Sequence, residues 1–243
     1  MSNPMLNNNR FSLQEGVLDG EPMTINGTIN KIFMLFVCLL AGAGISIYYL
    51  FTNPSMCQLL MIGGGILGFI LVLATCFNIR IAKYTAAPYA LLEGLVLGGI
   101  SAVFESQYHG IVLQTILATF VTLFVMLMLY KARIINYTDK LRACILTGIM
   151  SVAGIYLIQI VASIFGRSIP LIFDAGPVGI IFSLIVIGIA AISLIQDFYF
   201  IEQSSNNMLP KDYEWYGAMG LMITLVWLYM EILRFLAKLN SRR

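Results

Sequence analysis

The sequence has few charged residues and a single histidine. Only 11% of its 243 residues are Asp, Glu, Lys or Arg, whereas a soluble domain carries about a quarter. His109 stands alone, and without HExxH or GxSxG motifs it completes neither a zinc site nor a catalytic dyad. The four cysteines lie far apart with no CxxC pair, which argues against a disulfide framework or a thiolate metal site. We therefore expect neither a water-soluble protein nor an enzyme, and the net charge of +2 gives no reason to expect nucleic acid binding.

The sequence is instead rich in apolar runs. Hydrophobic residues make up 59% of the chain, and the mean hydropathy is +0.88. The runs are close to the roughly 20 residues that one bilayer crossing needs, and their lack of period-2 alternation favours helices over a barrel. We predict an all-α polytopic membrane protein, a bundle of seven transmembrane helices. The predicted spans are Ile32–Phe51, Cys57–Phe77, Thr85–Phe104, Gly110–Tyr130, Leu141–Phe165, Pro177–Ile201 and Trp215–Leu236.

The ends of the chain and its basic residues predict the domain organisation and orientation. Residues 1–30 are polar and predict a mobile cytoplasmic tail, followed by the transmembrane domain at 31–239 and a basic tail at 240–243. A cleavable signal peptide has a basic start that is followed at once by an apolar stretch. The first residues of this sequence lack that pattern, so we predict no such peptide. With the N-terminus in the cytoplasm, the outer loops contain only Arg167 as a basic residue, which satisfies the positive-inside rule. The short loops suit a multi-pass protein of a bacterial inner membrane.

The last span conflicts with this orientation. An odd number of spans places the C-terminus outside, yet basic residues cluster there: Arg234, Lys238, Arg242 and Arg243. Either the seventh helix crosses against the charge bias, or it enters the membrane and returns on the same side.

A few ionisable residues lie inside the predicted spans, where each costs on the order of 3 kcal/mol. Asp197 and Glu93 are flanked by apolar residues, and Arg80 ends the second span on the same side, so the three are expected to converge. The alternatives are a hydrogen bond to a neighbouring helix for Glu93 and a simple topology anchor for Arg80. We expect Glu231 to pair with Arg234 on one helical face.

Other acids are expected at the membrane surface. Glu202 and Glu214 are secondary candidates there, interfacial and solvated. Carboxylates without histidine or cysteine suit a hard cation or a proton relay, not zinc. We therefore expect protons or Ca²⁺ near Asp197 and Glu93, with Ca²⁺ as a permeant ion and no cofactor.

Several segments resemble the YccA/Bax inhibitor family of membrane proteins, in its bacterial branch. The segments are Pro22–Lys31, Tyr89–Gly98, Leu194–Glu202, Pro210–Ala218 and Trp227–Leu236. The resemblance implies a seven-helix bundle with the last helix central. It also implies a proton-sensitive pair between an Asp of the sixth helix and an Asp of the seventh, near an Arg of the second.

When the family pattern is placed on this sequence by position, the resemblance implies that the acid of the sixth helix is Asp197 and the cation of the second helix is Arg80. The second aspartate is missing, because Thr224 stands at its position, and a hydroxyl does not share a proton in the same way. Phe69 replaces an acid found in the second helix of some relatives. Glu93 is the substitute partner that we expect.

The resemblance implies two functions. The first is a pH-sensitive Ca²⁺ or cation leak pathway lined by Asp197, Glu93 and Arg80. The alternative is a non-conducting regulator whose polar tail and bundle bind another membrane protein complex, such as a membrane-bound AAA protease. In that case the carboxylates only stabilise helix packing in the lipid bilayer.

Overall fold

A computed structural model describes residues 21–165 and 176–241, and within these ranges seven long helices form the protein. All seven are long and apolar enough to cross a membrane, and each coincides with one predicted span, which confirms the all-α bundle. A short 3₁₀ turn, Ile79–Ile81, joins the second and third helices. The helices are α1 Ile25–Thr52, α2 Pro54–Phe77, α3 Ala82–Gln107, α4 Ile111–Lys131, α5 Asp139–Ile164, α6 Pro177–Asn206 and α7 Asp212–Asn240.

The first helix begins before its apolar run. Thr24 is the N-cap, and its hydroxyl accepts a hydrogen bond from Gly27 N at 3.0 Å. Residues 25–30, which we expected in the tail, are therefore helical. Residues 1–20 of the predicted tail and residues 242–243 of the basic C-terminal tail lie outside the described residues.

Short connections make consecutive helices antiparallel. Asn53 alone separates α1 from α2, where its side chain accepts a hydrogen bond from Met56 N and Pro54 occupies the first helical turn. Between α3 and α4, Gly110 adopts a φ of 83°, and the Glu105 carboxylate accepts hydrogen bonds from the backbone N–H groups of Gly110 and Val112. These turns leave little freedom in the path of the chain.

Glycines bring α1 and α3 into backbone contact. A Cβ atom added at Gly94 would lie 2.1 Å from the Leu39 carbonyl oxygen, and one at Gly42 would lie 2.1 Å from the Leu91 carbonyl oxygen. Only glycine fits so close an approach of two helices. By contrast, a Cβ atom at Gly44 would meet nothing within 4 Å.

The last helix is central, as the family resemblance implied. Helix α7 contacts α1, α3, α4 and α6, and it contributes residues to all three buried apolar clusters. Half of the residues in its most apolar stretch are buried, more than in any other candidate span. A substitution or a movement of α7 therefore alters its packing against most of the other helices.

Helix α7 runs the full length of α6 in the opposite direction. Near its end, Lys238 Nζ donates hydrogen bonds to Gly179 O at 3.1 Å and Ser183 Oγ at 2.9 Å, at the start of α6. The alternative that the last helix returns on the same side is therefore wrong. The opposite end of the bundle, where α1, α3, α5 and α7 begin, is called the basic end here. It holds the cations Lys83, Lys131, Arg133, Lys140, Arg142 and Lys211.

Candidate ion site beside Asp197

Asp197 lines a cavity of about 510 Å³ between α2, α6 and α7 and the start of α5. The cavity extends to the loop residues Asn207 and Leu209, so it lies at the basic end. Asp197 Oδ2 and Gln196 Oε1 are both buried, and neither has a hydrogen-bond partner among the described residues. A buried acceptor without a partner costs about 1–3 kcal/mol, so these two adjacent oxygens make the wall of the cavity a candidate site.

Thr224 of α7 faces Asp197 across the α6–α7 contact. Its hydroxyl lies near the Asp197 carboxyl group, but the hydrogen bond that it donates runs to the Gly220 carbonyl oxygen at 3.3 Å. The two positions that the resemblance paired are thus neighbours, although only one of them carries an acid. The α7 neighbour of Asp197 is therefore a hydroxyl and not a second carboxylate.

A buried apolar cluster packs α6 against α7 around Asp197. Leu194 and Ile195 lie three and two residues before Asp197 on α6, Phe198 follows it, and all three belong to one cluster with Leu221 and Leu228 of α7. Leu194 and Leu228 are fully buried. Apolar packing therefore joins α6 to α7 on both sides of Asp197.

Two aromatic rings and one cation complete the wall of the cavity. Tyr137 and Tyr199 stack with ring centroids 4.4 Å apart, and Arg142 in the first turns of α5 lines the same space. Sequence reasoning missed Gln196 and Arg142. Gln196 is uncharged, and Arg142, the second residue of the predicted span Leu141–Phe165, was counted only among the basic residues that set the orientation.

The expected convergence of Arg80 on Asp197 is wrong. Arg80 lies in the 3₁₀ turn that Asn78 caps, where it is exposed and does not line the Asp197 cavity. Within the described residues, its only hydrogen bond runs from its backbone N–H to the Asn78 side chain, at 3.1 Å. The turn holds Arg80 outside the bundle, which favours its alternative role as a topology anchor.

The expected partnership of Glu93 with Asp197 is also wrong. Glu93 Oε2 lies against Gly68 of α2, 3.5 Å from the position a Cβ atom would take there, and Glu93 does not line the Asp197 cavity. Equal depth in the membrane does not place residues on facing sides of their helices. In residues 21–165 and 176–241, no group of three His, Cys, Asp or Glu side chains is placed to hold a metal ion, and Ca²⁺ near Asp197 or Glu93 stays a prediction.

Glu231 forms the expected pair with Arg234 and also accepts hydrogen bonds from two aromatic side chains. Its Oε1 atom accepts hydrogen bonds from Tyr156 at 2.7 Å, Trp227 at 3.2 Å and Arg234 at 3.4 Å. Glu231 is only 1% exposed, and the Arg234 guanidinium lies 5.2 Å from the centre of the Tyr156 ring. This carboxylate is satisfied, so it joins α5 to α7 and is not a candidate ion site.

Glu214 is buried, so its expected solvation is wrong. It is 1% exposed and pairs with the Lys31 ammonium group, while Thr24 donates to it from its backbone N–H at 2.8 Å and from its hydroxyl at 3.1 Å. The cause lies in the start of α1, which folds over the start of α7 through a hydrogen bond from Met23 N to Leu209 O. The seven-residue spacing of Thr24 and Lys31 places them on the same face of a helix, and this spacing was the signal in the sequence that could have predicted a partner for Glu214.

Glu202 is half-buried rather than fully solvated. The Tyr130 hydroxyl of α4 donates a hydrogen bond to its carboxylate. This bond fixes Glu202 to α4, away from the Asp197 cavity, so Glu202 is not part of the candidate site.

Comparison with known proteins identifies a family for this chain. The model of the family described as Bax inhibitor 1 like matches residues 3–241, nearly the whole chain. No curated protein matches the sequence.

Proposed function

Because the chain belongs to the Bax inhibitor 1 like family, we propose that it forms a pH-sensitive leak pathway for Ca²⁺ or another cation, controlled by Asp197. The observation that supports this proposal most strongly is the pair of buried, unpartnered oxygens, Asp197 Oδ2 and Gln196 Oε1, beside the cavity at the basic end. Hard cations bind to carboxylate and amide oxygens of this kind.

The proton and the cation compete for the same carboxylate. When Asp197 is ionised, it is an acceptor only and attracts a cation into the cavity. When it is protonated, it loses the charge and gains a donor, so its contact with Thr224 changes. Since these two residues lie on α6 and α7, the change acts on the contact between the helices that close the pathway.

Conduction requires a conformational change in addition to the titration or cation binding of Asp197. The apolar cluster with Leu194 and Leu228 offers no polar group to a cation, and an ion in such surroundings is strongly disfavoured. A leak therefore needs α6 and α7 to separate at this cluster. We therefore expect a low rate of transport as long as α6 and α7 stay packed at this cluster.

Ca²⁺ flux in proteoliposomes tests the proposal. The measurement compares wild type with Asp197→Asn between about pH 5 and pH 8, with a Ca²⁺ indicator trapped inside the vesicles. The control is Asp139→Asn, which removes an exposed acid from the first turn of α5. We expect Asp197→Asn alone to change the flux, whereas flux indistinguishable from wild type would contradict the proposal.

The same vesicles distinguish the alternative function. A non-conducting regulator of a membrane-bound AAA protease or another membrane protein complex would show no Ca²⁺ flux in the wild type at any pH. Deletion of residues 1–20 would then weaken binding of the partner, whereas in a leak pathway it leaves conduction unchanged.

A further inference from the structure

A second cavity, about 760 Å³, lies between α1, α4 and α6 at the basic end. Its walls are mainly apolar, with Ile29 from α1 and Leu127 from α4 among the lining residues. Ile29 is 54% exposed and Phe124, also in the wall, is 60% exposed. Because these side chains face outwards from membrane-spanning helices, the cavity is a groove that opens towards lipid. Its volume falls within the range of ordinary ligand sites.

Two cations lie at the mouth of this groove. Lys131 ends α4, and Arg133 follows in the turn with a φ of 55°. Both line the groove and both are exposed. Among the described residues neither forms a salt bridge, in contrast to Lys31, Lys83 and Lys211 at the same end.

The one acid that lines the groove forms no salt bridge with these cations among the described residues, and its charge still leaves the lining net positive. Glu202 accepts the hydrogen bond from Tyr130, another lining residue. The remaining polar lining residues are neutral amides and hydroxyls, among them Asn136 and Gln203. The mouth of the groove thus offers two unpaired positive charges and several hydrogen-bond donors, whereas its walls offer apolar surface.

We propose that this groove binds an anionic phospholipid, with an acyl chain against α1 and α4 and the headgroup phosphate between Lys131 and Arg133. The argument is charge complementarity at the height of the membrane surface. Basic residues there are attracted to anionic lipid, and basic sites between transmembrane helices bind anionic headgroups. Arginine and lysine are the usual donors to a phosphate group.

The lipid site adjoins the Asp197 cavity without sharing its acid. Tyr137, Tyr199 and Gln203 line both spaces, and the stacked Tyr137 and Tyr199 rings form the wall between them. Lipid binding itself does not depend on whether the protein conducts ions. The two proposals can therefore fail separately.

Native mass spectrometry of the purified full-length protein in detergent tests the lipid site. Palmitoyl-oleoyl phosphatidylglycerol is titrated against phosphatidylcholine with the same acyl chains, and the dissociation constant of the first bound lipid is measured. The double variant Lys131→Gln, Arg133→Gln removes both cations. The control double variant Lys83→Gln, Lys140→Gln removes the same charge at the basic end but outside the groove.

A second pair of variants tests the apolar wall. Ile29→Trp fills the groove from α1, whereas Val37→Trp adds the same bulk on the exposed face of that helix outside the groove. Circular dichroism and the melting temperature in the same detergent identify any variant that does not fold.

We expect wild type and both controls to bind phosphatidylglycerol at least about tenfold more tightly than phosphatidylcholine. The Lys131 and Arg133 double variant should lose this preference, and Ile29→Trp should weaken binding of both lipids. Equal affinity of the wild type for the two lipids would overturn the proposal. So would an unchanged preference in the folded double variant, or an equal loss of affinity in the controls.

Discussion

Asp197 and Glu231 are both carboxylates inside apolar helices, yet their surroundings differ. Glu231 is 1% exposed and accepts hydrogen bonds from three side chains. Asp197 has a buried oxygen without a partner and lies beside a cavity. Thr224 and Glu231 are seven residues apart on α7, about 10 Å along the helix axis. Among the acids of the bundle, Glu231 thus has hydrogen-bond partners and Asp197 has an oxygen without one.

This difference assigns different roles to the two acids. A satisfied carboxylate stabilises the contact between its helices, because each donor would lose its partner without it. An unsatisfied carboxylate contributes little to stability, which makes Asp197 the acid on which the proposed function rests. The distinction depends on hydrogen-bond partners and not on depth or residue type.

Removal of Glu231 should have the largest effect on stability. Glu231→Ala leaves the Tyr156 hydroxyl and the Trp227 indole N–H without their acceptor, so we expect the free energy of unfolding to fall by about 3 kcal/mol. The control is Glu93→Ala, another acid within a span but without a described hydrogen-bond partner. Reversible unfolding in mixed micelles measures both, and equal losses would remove the distinction drawn here.

Loss of one donor to Glu231 should have a smaller effect. Tyr156→Phe removes the 2.7 Å hydrogen bond and leaves Trp227 and Arg234 on the carboxylate. A hydrogen bond to a charged group is worth about 1.5 kcal/mol at the low end, and we expect a loss of that size. Tyr48→Phe, on an exposed ring of α1, should be neutral in the same unfolding experiment. A neutral Tyr156→Phe would show that the α5–α7 contact does not depend on this bond.

Asp197→Asn should scarcely change stability. The substitution keeps the size of the side chain and removes a charge with no cationic partner, so we expect a change within about 1 kcal/mol, towards higher stability. The same mixed-micelle experiment checks it. A loss as large as that of Glu231→Ala would mean that Asp197 is a structural residue.

The smallest effect is expected for an acid outside the membrane. The Lys211 ammonium group lowers the pKa of Glu21 through a hydrogen bond and its charge, but both side chains are mostly exposed. A lowered pKa means that the stabilisation is present near neutral pH and is lost as the pH falls through the folded-state pKa. Because exposed pairs contribute little, Glu21→Gln should leave the melting temperature unchanged at neutral and acidic pH. A clear shift at neutral pH alone would show that this pair anchors the start of α1.

Hydropathy was sufficient to predict the bundle, because each of the seven runs is long enough to cross a bilayer and no other element competes for it. The ends of the helices depend on local hydrogen bonds instead. Thr24 caps α1 well before the apolar run starts, so hydropathy placed the boundary too late.

The candidate site was harder to predict, because depth along a helix says nothing about the direction of a side chain. Glu93 has a depth similar to that of Asp197 but faces Gly68 of α2. Gln196 was missed because an amide carries no charge to mark it. The proximity of Asp197 and Thr224 came from the family resemblance and not from composition or periodicity.

The pH response of Ca²⁺ flux tests most directly whether Asp197 controls a pathway. The flux of wild type, Asp197→Asn and Glu231→Gln is compared at about pH 5 and pH 8 in identical proteoliposomes. The account predicts that wild type and Glu231→Gln respond to pH and that Asp197→Asn does not. A pH response that survives in Asp197→Asn would contradict it.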